Sequence, residues 1–127
     1  MAGAPNANYP LEFLFSKTLT SSDITRRLAW PTEHVDALIE GVGRPAINLN
    51  AMPGHNVQFQ LSDENGQSWA LRCFTRQTGP YLKPVISAGW VELVRAKNLR
   101  VGDQVFFYRN RDPASQAPFV VHFVRAT

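Results

Sequence analysis

The sequence has little of what secreted and membrane proteins carry. Its 127 residues include one cysteine, Cys73, which excludes an internal disulfide and a zinc site built from several cysteines. No apolar run is long enough to span a bilayer, and the first residues, MAGAPNAN, lack the basic start and apolar core of a signal peptide. We therefore expect an intracellular chain in a reducing compartment.

The common motifs of catalysis and cofactor binding are also missing. The histidines, His34, His55 and His122, form no H-x-x-x-H or H-x-E arrangement. There is no glycine-rich phosphate loop and no G-x-S-x-G sequence. The sequence therefore predicts no enzyme, no metal site and no cofactor.

What remains is the pattern of a small, mainly β domain. The length fits one domain, and 44% hydrophobic residues is ordinary for a globular protein. Phe13 and Phe15 are predicted on one face of a first strand that ends near Thr18. Residues 57–61 and 69–73 alternate apolar and polar side chains around an Asn-Gly turn, which predicts a β-hairpin. Cys73 falls on its apolar face, which indicates a buried hydrophobe rather than a nucleophile.

Two short helices are predicted among the strands. PTEHVDALIEG (31–41) and SAGWVELVRAKN (87–98) both place apolar residues at helical spacing. Further short strands are predicted near residues 28–30, 101–110 and 117–126. Six or seven short strands with two helices favour a closed or partly open β-barrel over an immunoglobulin-like sandwich, because the helices interrupt the meander.

The charges are distributed unevenly along the chain. The net charge is only +3, but residues 69–111 carry eight bases against two acids, whereas residues 33–64 carry five acids against one base. Such asymmetry within one domain is the expected footprint of a polyanionic partner.

Two acid-poor segments are predicted to leave the barrel as irregular loops. The segments 19–28 and 74–83 both combine arginine or lysine with serine, threonine and glutamine. Arginine can bind a guanine edge through two hydrogen bonds, and hydroxyls and amides can bind phosphates or bases. Tyr81 leaves a second mode open, which is base stacking on a single strand.

The order of motifs resembles that of plant B3 DNA-binding domains. FSKTLTSSDI followed by RLAWPTEHVDAL is similar to the opening of that family. DENGQSWALRCF, ISAGWVELVRAKNLRVGDQVFFYRN and a last strand then follow in the family's order, so the resemblance covers about residues 12–125. It implies a seven-stranded open β-barrel (a DNA-binding pseudobarrel) with two short α-helices. Two arms would enter the major groove of double-stranded DNA: an N-arm, residues 20–27, and a C-arm, residues 74–83.

The resemblance also implies roles for single residues. Lys17 matches a lysine that binds a phosphate, and Ser22 belongs to a Ser-Asp pair that shapes the N-arm, with Asp23 as a cap or turn residue. The remaining N-arm and C-arm positions would read base edges or lie nearer the DNA backbone. The implied DNA-binding residues are Lys17, Ser22, Arg26, Arg27, Thr75, Arg76, Gln77, Thr78, Lys83 and Ser87, of which the two N-arm arginines and Arg76, Gln77 and Lys83 would read bases.

At the level of the whole chain, the resemblance implies a transcription-factor domain at residues 10–127 after a flexible tail at 1–9. It would act in the nucleus without a cofactor, a membrane or a small-molecule substrate, and a protein partner or a second copy stays open. The short N-arm, and a C-arm without the Trp-Asn or Pro-Arg-Arg of two B3 types, indicate a diverged member of the reproductive-meristem kind. They also leave open a protein-interaction β-barrel that has lost sequence-specific DNA binding. A B3-like recognition domain of a restriction enzyme usually lacks the Ser-Asp and Gly-Trp order seen here.

Overall fold

The computed structural model describes residues 11–31, 56–78, 81–111 and 117–126, with only the backbone described at 56–57, 74–78 and 81–83. Residues 1–10 and most of the helix predicted at 31–41 lie outside the described ranges, so the expected tail and that helix are not tested. The strands are β1 Leu11–Thr18, β2 Leu28–Ala29, β3 Asn56–Asp63, β4 Ser68–Thr78, β5 Tyr81–Ile86, β6 Gln104–Asn110 and β7 Phe119–Val124, and the helices are α1 Ser21–Thr25 and α2 Trp90–Ala96.

All seven strands form one sheet in the order β1-β6-β7-β3-β4-β5-β2. Neighbouring strands are antiparallel except β3 and β7, which are parallel. Although β1 and β2 occupy opposite edges of the sheet, Trp30, just after β2, contacts Phe15 of β1 with ring centroids 5.1 Å apart. The sheet therefore curls until its two edges meet around a common core, which confirms the predicted open barrel.

Large aromatic side chains fill the inside of the barrel. Phe107 stacks on Phe15 at 4.8 Å, and Trp30 meets both Phe107 and Phe119 edge-on, at 5.7 and 5.2 Å. Trp90 of α2 is fully buried and lies 6.4 Å from Phe107, so the helix closes one side of this core. No helix in the described ranges is long and apolar enough to cross a membrane.

The alternation predicted for the first strand is wrong at Phe13. The pairing register of β1 with β6 shifts between Phe13 and Phe15, where an extra residue, Leu14, enters the strand. Leu14 and Phe15 are both buried, whereas Phe13 is 53% exposed beside Tyr108, with ring centroids 5.7 Å apart. A β-bulge places two consecutive residues opposite one partner, so side chains on its two sides no longer share one face.

The hairpin predicted from residues 57–73 is confirmed. Phe59 pairs with Leu71 and Val57 with Cys73, and the turn between β3 and β4 contains Gly66 with φ +84°. The helix α2 is also confirmed, with Trp90, Leu93 and other apolar residues on its buried side. Both elements were predicted because local periodicity and local turn chemistry agree in these segments.

Cys73 should behave as an inert, buried thiol. Burial raises its pKa to about 12, while a hydrogen bond with the backbone of Val85 opposes this in part. At pH 8, iodoacetamide should therefore modify the folded protein at least about a hundredfold more slowly than the chain unfolded in denaturant, since the thiolate is the nucleophile. Mass spectrometry of timed samples measures both rates. Equal rates in the two states would show that the thiol is accessible and would contradict the buried role.

Candidate nucleic-acid interface

The N-arm begins with a one-turn helix that is capped at its start. The backbone N–H of Thr20 donates to Oδ2 of Asp23 at 2.8 Å, and the N–H of Asp23 donates to Oγ1 of Thr20 at 3.4 Å. This reciprocal pair is a capping box, which satisfies two backbone donors that the short helix leaves free. Asp23 is therefore a cap residue, as predicted.

Asp23 also ties the N-arm to two other elements. Its carboxylate Oδ1 accepts a hydrogen bond from Nζ of Lys17 in β1 at 2.9 Å. Its backbone carbonyl accepts one from Nε1 of Trp90 in α2 at 2.7 Å. Asp23 is only 4% exposed, and its bond with Trp90 is buried, where hydrogen bonds are electrostatically stronger, whereas the Lys17 side chain is partly exposed. We call Lys17, Thr20, Asp23 and Trp90 the Asp23 cluster.

Arg26 and Arg27 follow the helix directly. Arg26 is its C-cap, with φ −128° and ψ −71°, and its N–H donates to the carbonyl of Ser22 at 3.0 Å. Arg26 is exposed and Arg27 is half-buried. Within the described residues neither guanidinium has an ion-pair partner, so both charges are available to a polyanion.

A cavity of about 240 Å³ lies between the N-arm and the edge formed by β2 and β5. It brings together three of the predicted DNA-binding residues, Ser22, Arg26 and Arg27. Its remaining lining comes from Asp23, Ala29 and Val85. The cavity is therefore bordered by a serine and two arginines, residue types that bind phosphates and base edges.

The C-arm is not the irregular loop that the sequence predicts. β4 continues through Thr78 and β5 starts at Tyr81, with Arg76 opposite Lys83 and Thr78 opposite Tyr81 in an antiparallel register. The prediction was wrong because apolar and polar residues alternate only in a strand that buries one face. The paired strands of a hairpin are held by backbone hydrogen bonds, which do not require such alternation. Residues 79–80, between the two strands, lie outside the described residues.

The register brings several predicted C-arm residues to neighbouring positions. Arg76 and Lys83 are directly opposite, and Gln77 is the next position along β4, opposite Leu82. Thr75 pairs with Pro84 one step nearer the barrel. The predicted base readers of the C-arm therefore lie together near the end of one hairpin.

Ser87 and Lys17 lie outside the two arms. Ser87 follows β5 at the end opposite Tyr81, and its N–H donates to the carbonyl of Arg72 at 2.8 Å. Arg72 is exposed, and Arg109 forms an ion pair with Glu12 at 3.7 Å. Lys17 lies next to the N-arm through its contact with Asp23.

A second buried aspartate, Asp63, connects the β3–β4 turn to the end of α2. Oδ2 of Asp63 accepts from Nε1 of Trp69 at 3.0 Å and pairs with Nζ of Lys97 at 2.7 Å. Burial raises the pKa of this carboxyl, but the bonds from Lys97, Trp69 and the amides of Gln67 and Asn65 outweigh that effect and hold the pKa below its usual value. In the parts of the chain that the structure describes, no group of three or more acidic, histidine or cysteine side chains could hold a metal ion.

Sequence reasoning missed the contribution of Trp90 to the N-arm. Trp90 and Asp23 are 67 residues apart, and no local pattern links them. The capping box had a readable signal, since Thr20 and Asp23 have the spacing of an N-cap and its third helical residue. Nothing in the sequence marks Ala29 and Val85 as residues that line the cavity beside the N-arm.

Comparison with known families finds one match over most of the chain. The family model described as "B3 DNA binding domain" matches residues 15–127. Similar proteins of Arabidopsis thaliana include the AP2/ERF and B3 domain-containing transcription repressor TEM1, 34% identical over 109 residues, with 83% of this chain and 29% of TEM1 covered. The B3 domain-containing transcription factor NGA4 of the same plant is 33% identical, with 84% of this chain and 29% of NGA4 covered. The chain thus spans about a third of the length of the curated relatives it matches.

Solved structures share this fold. The Arabidopsis FUS3–DNA complex matches with a TM-score of 0.70 and 23% identity, over 91% of this chain and 100% of that one. The Arabidopsis thaliana transcription factor LEC2–DNA complex matches with a TM-score of 0.67 and 20% identity, over 94% and 99%. At these identities the likeness concerns the arrangement of strands and helices.

Proposed function

This chain belongs to the B3 DNA binding domain family, and from this premise we propose that it binds double-stranded DNA with both arms in the major groove. The observation that carries the proposal is the N-arm. Two arginines without an ion-pair partner among the described residues follow a helix that the Asp23 cluster fixes to the barrel. A cationic segment held in place in this way is prepared for a polyanion before it binds.

The two arms divide the chemistry of recognition between them. In the N-arm, Arg26 and Arg27 read base edges, because a guanidinium can donate two hydrogen bonds to a guanine. Ser22 shapes the arm beside them. In the C-arm the base readers are Arg76, Gln77 and Lys83, and Thr75 and Thr78 lie nearer the DNA backbone. Ser87, which follows β5 outside the arm, is a further residue on the DNA-backbone side. Backbone contacts fix the register of the protein on the duplex, and base contacts select the sequence.

The relatives' names place this domain in transcription factors and a transcription repressor, which supports a nuclear role for the present chain. Binding of this kind uses charge, hydrogen bonds and shape, and it requires no catalytic step. We propose a non-catalytic, nuclear DNA-binding module, and the reproductive-meristem subgroup stays a prediction.

Selection of bound duplexes from a random DNA pool tests this function. The recovered duplex and a scrambled duplex of equal length are then titrated by fluorescence anisotropy across a range of salt concentrations. A recovered motif with tighter, salt-dependent binding is the expected result. Salt-dependent binding without a motif would limit the function to backbone docking. No binding to either duplex at low salt would overturn the proposal in favour of a protein-interaction barrel.

Lys17 should contribute one phosphate contact. Its Nζ carries three donors, of which one meets Asp23, and the side chain is 36% exposed. Lys17→Gln should therefore weaken binding to all duplexes alike and reduce the slope of log K against log salt concentration by about 0.9. Anisotropy titrations measure this slope, and Lys17→Arg is the charge-preserving control. An unchanged slope in Lys17→Gln would show that the lysine acts only within the Asp23 cluster.

A further inference from the structure

The hydrogen bond between Trp90 and Asp23 lies where the N-arm helix ends. In a longer helix, the carbonyl of Asp23 would accept the N–H of Arg27, four residues on. Here the N–H of Arg27 lies 3.4 Å from the carbonyl of Ser22 instead, and Nε1 of Trp90 occupies the carbonyl of Asp23. The indole thus satisfies a backbone acceptor that the end of a helix leaves free.

A helix of five residues depends on such outside contacts. A single turn fixes several backbone dihedral angles for very few hydrogen bonds, so it does not hold its shape alone. The capping box secures the start of α1, and Lys17 contacts the carboxylate of Asp23. The indole of Trp90 contacts the backbone itself, three residues before Arg26.

Trp90 is itself held rigidly. Its side chain is fully buried, with its ring near that of Phe107, and its backbone N–H donates to the carbonyl of Ser87 at 3.2 Å. Gly89 just before it lies so close to β4 that a side chain there would collide with the carbonyl of Ala70. The indole is therefore a fixed point of the barrel against which the N-arm is set.

From this geometry we infer that Trp90 is the positioning residue of the N-arm. Its indole N–H fixes the positions of Arg26 and Arg27 from which they bind DNA. This inference rests on the proposed function. It predicts that loss of one buried N–H, far from any base, lowers sequence discrimination. Misplaced arginines still attract phosphates, because that attraction needs charge near the duplex, whereas a two-point contact with a base needs geometry.

Trp90→Phe tests the inference, with Trp69→Phe as its matched control. Each substitution removes an indole N–H that donates to an aspartate. Trp90 donates to the backbone carbonyl of Asp23 in the N-arm, whereas Trp69 donates to the carboxylate of Asp63 beside the β3–β4 turn. Both variants are titrated with the selected duplex and the scrambled duplex at a temperature where circular dichroism shows them folded. Trp90→Phe should weaken binding of the selected duplex by about fivefold to tenfold, the value of one hydrogen bond, and binding of the scrambled duplex by clearly less. Trp69→Phe should change neither.

Equal losses on both duplexes, or the same loss in Trp69→Phe, would overturn the positioning role. Amide hydrogen exchange of the free protein gives a second readout that needs no DNA. The amides of Ile24 and Arg26, which donate within α1 at 3.2 and 3.0 Å, should exchange faster in Trp90→Phe and not in Trp69→Phe. Unchanged exchange would also overturn the inference. If the parent protein binds no duplex, the proposed function fails while exchange still decides whether Trp90 holds the N-arm.

Discussion

Gly89→Ala is expected to lower the free energy of unfolding by about 3 kcal/mol or more. Gly89 has φ +88°, a region that L side chains rarely adopt, and an added Cβ would lie 2.2 Å from the carbonyl oxygen of Ala70. The backbone cannot easily retreat, because the carbonyl of Ala88 accepts the N–H of Arg72 at 3.0 Å. Urea unfolding followed by tryptophan fluorescence measures the loss.

Gly66→Ala separates the two causes of that loss. Gly66 has nearly the same φ, +84°, but an added Cβ there meets nothing within 4 Å. It should lose only the conformational part, roughly 1–2 kcal/mol, so the difference between the two variants measures the collision. Equal losses in both variants would show that the collision relaxes freely and would contradict the tight approach of α2 to β4.

The same glycine has a consequence for DNA binding. Gly89 precedes Trp90, and a shift of the α2 start would move the indole away from the carbonyl of Asp23. Gly89→Ala should therefore weaken DNA binding even at temperatures where the protein is still folded, whereas Gly66→Ala should not. The close approach of Gly89 to the carbonyl of Ala70 therefore affects both the stability of the fold and the binding of DNA.

The elements that could be predicted from the sequence are those in which local signals agree. The hairpin containing Phe59, Leu71 and the Gly66 turn combines strict alternation with a suitable turn, and α2 has its apolar residues at helical spacing. The N-arm was predicted as an irregular loop and contains a short helix, although Thr20 and Asp23 are capping residues that mark its start. In these segments the tertiary structure follows the local preference.

The elements that could not be predicted depend on contacts between distant residues. The bulge at Leu14 follows from the register of β1 against β6, which no pattern within β1 reveals. The C-arm forms a hairpin through backbone pairing, with Arg76 opposite Lys83, although its side chains show no alternation of apolar and polar residues. The bond from Trp90 to Asp23 joins residues 67 positions apart and became visible only in the structure.

Arg26→Ala combined with Arg27→Ala should weaken binding to the selected duplex by about 2 kcal/mol or more, which is roughly thirtyfold. Both residues line the cavity beside Ser22, and neither guanidinium is neutralised by an acid within the described residues. Their loss removes base contacts, and the salt slope falls only where they also meet phosphates. Because both lie at the end of α1 and outside the core, stability should stay within about 0.5 kcal/mol of the parent. Anisotropy titrations and urea unfolding measure the two effects.

Two controls decide whether geometry or charge carries this effect. Arg26→Lys combined with Arg27→Lys keeps both charges but lacks the planar fork, so it should retain binding to the scrambled duplex and lose the preference for the selected one. Arg111→Ala removes an exposed arginine just after β6. Gln104, at the start of β6, pairs with Thr18 next to the N-arm, and Arg111 lies roughly 20 Å from Gln104 along the strand, so this substitution should change binding little. If the lysine pair discriminates as well as the parent does, the arginines act as charges alone. If Arg111→Ala weakens binding as much as the double alanine variant, the N-arm has no special part in recognition, and the DNA meets a diffuse basic surface.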